Sequence, residues 1–223
     1  MTPSTPARGA PGYDASPYVP EGADLEALRG AAARCEGCPL FENATQTVFG
    51  AGEAHARVVL VGEQPGDQED RRGQPFVGPA GGVLVRAVDE AGIDPTDTYV
   101  TNAVKHFKFE QAPRGKRRIH KPPGLREIGA CKPWLVAELA LIDPEVVVAL
   151  GATAGKALLG SSFRVGEQRG TALPLPALDG GNGEGVLVAT IHPSAVLRAD
   201  DAARAELYAG LVADLKVAAR LLE

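Results

Sequence analysis

The stretch RVVLVGEQPGDQED, residues 57–70, changes character at Gly62. Before the glycine the chain is a short β-branched apolar run. After it comes a turn around Pro65 and Gly66, with carboxylates at Glu63, Asp67, Glu69 and Asp70. An apolar run of this length closed by a glycine reads as a buried strand. Three more runs share the form: TYVTNAV (98–104), EVVVAL (145–150) and VLVATIHP (186–193). Helical spacing fills the intervals, over 22–34, 81–91, 125–142, 152–159 and, after the fourth run, 202–222. Strands that alternate with helices imply a parallel sheet covered by helices on both faces, an α/β fold.

The chain has 223 residues, enough for one domain with a full core. Residues 1–20 are rich in Pro, Gly, Ser and Ala and are expected to form a flexible leader, with one domain over 21–223. No apolar run approaches the roughly 18–20 residues that a membrane span needs. The N-terminus lacks the order of a secretory signal, so a reducing, cytoplasmic compartment is expected. A net charge of −5 argues against a protein that coats nucleic acid by bulk positive charge. Cationic residues are nonetheless concentrated at Arg114, Lys116, Arg117, Arg118 and Lys121. Three cysteines, Cys35, Cys38 and Cys131, cannot close a disulfide set, which points to thiolate chemistry or metal binding.

In open α/β folds ligands bind outside the carboxyl ends of the strands. Those ends read GEQPGDQED, NAVKH, LGATA and HPS. GEQPG lacks the Lys and Ser/Thr of a phosphate-binding P-loop, so nucleoside triphosphate binding has little support. Phe76, in GQPFVGPAGG before a helix start, is either core or a stacking platform for a planar base. In KRRIHKPP (116–123) four cations surround His120, and two prolines follow. The cations alone read as a phosphate patch or a solvated face, and the imidazole among them needs its own explanation.

Together, GEQPGDQED, GQPFVGPAG, TNAVKHFKF and HPSAVLR resemble the Fe-S branch of the uracil-DNA glycosylase superfamily, over nearly everything from Cys35 onward. The histidine in VKH and the KRRIH stretch narrow the resemblance to the UdgX group, whose members become covalently attached to uracil-containing DNA. The resemblance implies a three-layer α/β/α sandwich with a central four-stranded parallel sheet. It also implies a 4Fe-4S cluster, with His106 standing where the family has a cysteine beside Cys35, Cys38 and Cys131. Histidine ligates iron in Rieske centres, and a Cys3His set also suits zinc, so the residues alone leave both metals open.

The implied substrate is DNA carrying uracil, single-stranded or flipped out. By resemblance, His192 donates to uracil O2, Asn102 reads the base edge, and Phe76 stacks on the ring. Gln64, Asp67 and Asp70 complete the substrate contacts, and Lys116, Arg117, Arg118 and Arg198 hold phosphates. His120 resembles the histidine that bonds the sugar C1′. Glu63 either accepts a hydrogen bond from that imidazole or orients a water. The expected protein is a monomer with no membrane partner. Two other readings compete: a turnover glycosylase whose basic loop only clamps DNA, and a zinc-stabilised nucleic-acid-binding module without catalysis.

Overall fold

The computed structural model describes residues 13–177 and 185–223. Residues 1–12 of the expected leader, and residues 180–184 of the Gly-rich connection before the fourth run, lie outside the described residues. The strands are β1 (Ala51–Gly52), β2 (Val58–Gly62), β3 (Thr98–Asn102), β4 (Phe109–Gln111), β5 (Arg118–His120), β6 (Val146–Leu150), β7 (Ala172–Pro174) and β8 (Val186–Thr190). The helices are α1 (Leu25–Ala32), α2 (Asp67–Arg72), α3 (Pro79–Glu90), α4 (Leu125–Ile142), α5 (Ala152–Leu159), α6 (Val165–Gln168), α7 (Pro193–Arg198) and α8 (Asp201–Arg220). None of the helices among the described residues is long and apolar enough to cross a membrane.

The four expected strands lie parallel in the order β3-β2-β6-β8. Short antiparallel strands, β1 beside β3 and β7 beside β8, extend the sheet to six. Side chains alternate across the pleat, so one strand feeds two cores. Val59 and Val61 pack with α1, α4 and α5, whereas Val58 and Leu60 pack with α3, α7 and α8. Each such fully buried Val or Leu contributes about 1.5–3 kcal/mol. The result is the three-layer arrangement, with the strand exits gathered at one edge of the sheet.

Three expectations change in detail. The run 98–104 stops being a strand at Asn102, although Ala103 and Val104 still donate to the carbonyls of Gly62 and Glu63 at 2.9 and 3.0 Å. The leader does not reach residue 20: Asp14 donates to Gly37 O at 2.8 Å and Ala15 to Ala130 O at 2.9 Å, and Ala15 is buried. Those bonds and that burial offset the ordering of a short 3-10 turn, Ser16–Tyr18. KRRIHKPP is partly strand, because Arg118–His120 pairs with Phe109–Gln111 in an antiparallel hairpin whose tip holds Gly115 at φ 86. The strand period of two then puts Arg118 and His120 on one face and Ile119 on the other.

Candidate active site

The exits of β2, β3 and β8 and the basic hairpin enclose a cleft of about 600 Å³. Glu63, Gln64, Phe76, Asn102, His120 and His192, all singled out in the sequence, line it. Arg117, Arg118 and Arg198 stand at its wall, and Ile119, Glu69 and Ser194 line it as well.

His192 is the N-cap of α7, and its Nδ1 accepts from the Ser194 backbone N–H at 3.2 Å. The ring proton therefore belongs on Nε2, which makes the neutral imidazole a donor. Burial, with Arg198 and His120 adding to it, pulls the His192 pKa down to about 4. Phe76 stacks on this ring at 6.2 Å and 26°. Its backbone has φ 53, a left-handed conformation that costs a non-glycine residue on the order of 1 kcal/mol. Asn102 is buried at the exit of β3, and among the described residues its side-chain amide has no protein hydrogen-bond partner. Its carbonyl oxygen and its two N–H donors are thus left for a ligand.

Across the cleft, His120 Nε2 lies 3.3 Å from Glu63 Oε1. The other Glu63 oxygen accepts from the Thr153 hydroxyl in the first turn of α5. Gln64 spends its amide on the hairpin: Nε2 donates to Lys108 O at 3.2 Å and Lys121 O at 3.0 Å, and Oε1 accepts from Lys108 N–H. Gln64 therefore holds the two ends of the hairpin together and has no proton left for His120, whose Nε2 is 2.9 Å from Gln64 Nε2. A lone pair on Nε2 would face a carboxylate, so the favourable neutral tautomer has Nε2–H toward Glu63 and leaves the other ring nitrogen bare. Burial and Arg198 lower the His120 pKa from the ordinary imidazole value, against the pull of Glu63.

Arg118, Asp67 and Asp70 are engaged elsewhere than expected. Arg118 donates to Asp67 Oδ1 at 2.5 Å and Asp70 Oδ2 at 2.6 Å, and its guanidinium lies over Phe107 and Phe109. Asp70 is fully buried and also accepts from Thr45 N–H at 2.9 Å. This is a bond set internal to the protein. It anchors the hairpin to α2, whereas Arg114, Lys116 and Arg117 of the same hairpin are exposed. Sequence reasoning missed Thr153, Ser194 and the role of Glu69. Glu69 accepts from Gly66 N–H at 3.1 Å and Gly78 N–H at 2.7 Å, which closes the loop that presents Phe76. The LGATA strand end was the one available signal for Thr153.

Cys35, Cys38 and Cys131 are all buried. Cys131 Sγ accepts from Lys105 N–H and Cys35 Sγ from Trp134 Nε1–H, both at 3.3 Å. Burial pushes the Cys131 thiol up to about 12 and raises Cys38 as well; Cys38 and Cys35 raise Cys131 further, and Cys35 raises Cys38. Thr47 Oγ1 donates to Ala32 O at 2.8 Å, so at its 2.8 Å contact with His106 Nε2 it accepts. That fixes the proton on Nε2 and leaves Nδ1 of His106 free to ligate. Buried sulfurs with N–H donors and a histidine in the ligating tautomer fit a sulfur-bound iron centre. Among the described residues, no three His, Cys, Asp or Glu side chains are arranged to hold a single metal ion.

Residues 49–216 match the family described as the uracil DNA glycosylase superfamily. A type-4 uracil-DNA glycosylase of Thermotoga maritima is 37% identical over 166 residues, covering 74% of this chain and 79% of that one. A type-4 uracil-DNA glycosylase of Pyrobaculum aerophilum is 35% identical over 178 residues, covering 78% and 85%. The matched span takes in every strand and every residue of the cleft, and the chain belongs to the uracil-DNA glycosylase superfamily.

Proposed function

We propose that this protein excises uracil from DNA and remains attached to the product through His120, as in the UdgX group. The observation that supports the attachment is the Glu63–His120 pair at 3.3 Å, at the mouth of a cleft whose far wall holds the neutral donor His192. Uracil enters the cleft flipped out of the strand, stacked on Phe76 and read by Asn102. The C1′–N1 bond breaks with its electron pair on the base, and His192 Nε2–H stabilises the anion, an effect on the order of 3 kcal/mol. The sugar is left as a cation, and the bare nitrogen of His120 closes a bond to C1′ while the Nε2 proton passes to Glu63. The resulting N-glycosyl imidazole is a poor leaving group, so the enzyme acts once. Cys35, Cys38, Cys131 and His106 would hold a 4Fe-4S cluster. When bound, it supplies a fixed link between the CEGC turn, the exit of β3 and α4.

His120→Ser leaves the uracil pocket intact and admits water. It should keep excision, release abasic DNA and form no protein–DNA band that survives heat and detergent. A resistant band at wild-type yield from His120→Ser would place the nucleophile elsewhere. Wild-type protein that releases product linearly under excess substrate, with no such band, would make this a turnover enzyme with Glu63 orienting water. The lowered His120 pKa keeps the imidazole neutral at neutral pH, so adduct yield should fall only below about pH 6.5.

A further inference from the structure

Lys105 and Glu138 form an ion pair whose side chains are 1% and 0% exposed. Taking both charges out of water roughly cancels their attraction, and an apolar pair of the same volume would support the fold as well. The pair's contribution is better sought in direction than in stability. Lys105 Nζ donates to Glu138, to Thr101 Oγ1 at 2.6 Å and to the backbone carbonyl of Asn102 at 2.8 Å. Its three protons are then all used. Glu138 accepts from the Tyr99 hydroxyl at 2.9 Å, the Thr101 hydroxyl at 2.9 Å and the Gly50 N–H at 3.1 Å. Tyr99, Thr101 and Asn102 all belong to β3, so the pair clamps that strand where it leaves the sheet. At the same residue the backbone turns toward the cysteines, because Lys105 N–H donates to Cys131 Sγ. The lysine also lies over the Phe49 ring at 5.5 Å, and Phe49 meets Trp134 edge-on at 6.1 Å.

The geometry points to Lys105 and Glu138 as positioning residues that aim the Asn102 amide into the cleft, so that selection of uracil depends on a buried charge pair that never touches the base. The inference rests on the reading of Asn102 as the residue that reads uracil. A carbonyl held on one side by Lys105 fixes the backbone of Asn102, and with it the direction of the amide.

The test uses Lys105→Met, the double variant Lys105→Met/Glu138→Gln, Thr101→Val and Asn102→Ala, each as metal-loaded protein. Melting temperature, affinity for uracil-free DNA and the saturating single-turnover excision rate are measured on each. Lys105→Met should lower both melting temperature and rate. The double variant leaves no charge at the pair and keeps the donors to residue 138, so its melting temperature should return toward wild type. Its rate should stay at least about tenfold down, since a displacement of about 1 Å can cost on the order of a hundredfold. Affinity for uracil-free DNA should not move. A double variant that regains both melting temperature and rate would show the pair to be structural only and overturn the inference. Thr101→Val keeps both charges and the side-chain shape, so it serves if the charge variants do not fold, and an unchanged rate there also overturns it. Asn102→Ala separates the two layers: a wild-type rate in that variant would defeat the base-reading role itself, whatever Lys105 does.

Discussion

A Cβ added at Gly62 would come 2.4 Å from Asn102 Oδ1 and 2.7 Å from Phe76 Cζ. One hydrogen at the exit of β2 therefore leaves room for both the Asn102 amide and the Phe76 ring. Gly62→Ala should push them apart with little effect on the rest of the sheet. Single-turnover excision should fall by about tenfold or more, while binding to uracil-free DNA stays near wild type. Kinetics and a binding titration on the same preparation check this, and a wild-type rate would mean that the pocket is looser than these distances state. The glycine was legible as a strand terminator. Its closeness to Asn102 and Phe76 was not, because the three residues are far apart in the chain and meet only when β2, β3 and the loop before α3 converge.

The hairpin of β4 and β5 separates two arginines that are adjacent in sequence and looked alike as phosphate contacts. Strand alternation turns Arg118 inward to Asp67 and Asp70 and leaves Arg117 at the exposed tip. Arg118→Ala would leave the fully buried Asp70 carboxylate with only the Thr45 amide, and removing one partner of a buried pair costs about 3 kcal/mol or more. It should lower the denaturation midpoint and loosen His120, two residues along the same strand. Arg117→Ala should change stability by less than about 0.5 kcal/mol. It should weaken DNA binding and reduce the salt slope of log affinity by about 1. Denaturant titration and binding at several salt concentrations distinguish the two, and matching behaviour would contradict the assigned directions.

At the scale of the molecule, the segment Tyr13–Val19 ties the CEGC turn to α4. Its backbone bonds Gly37 on one side and Ala130 on the other, the neighbours of Cys38 and Cys131. Gly37 is required at that crossing, since a Cβ there would lie 2.7 Å from Ala15 Cα. The strap should therefore slow the opening through which a chelator reaches the proposed cluster. Two backbone hydrogen bonds contribute about 1.4 kcal/mol net, so iron-loaded protein lacking residues 1–19 should lose metal roughly tenfold faster than the full chain. Release is followed by the visible absorbance in excess chelator. Equal rates would assign the strap no protective role, and stoichiometric zinc without iron in the purified protein would remove the cluster from the account.

Local sequence determined what local physics governs. The apolar runs within 57–62, 98–104, 145–150 and 186–193 alternate with helical spacing over 81–91, 125–142, 152–159 and 202–222, and that alternation reads as a parallel sheet covered by helices. The same reading put Glu63, Asn102 and His192 at one edge, because strand exits in such a sheet share a side. Tertiary structure decided the pairings. Glu63 and His120, the two partners of Arg118, Thr153 at the carboxylate, and Lys105 with Glu138 are 33 to 90 residues apart or belong to different elements, and no periodicity relates them. A charged side chain in a sequence carries no sign of whether it will meet water, a phosphate or an opposite charge. That choice is made when the chain closes around it and desolvation leaves only a partner to stabilise it.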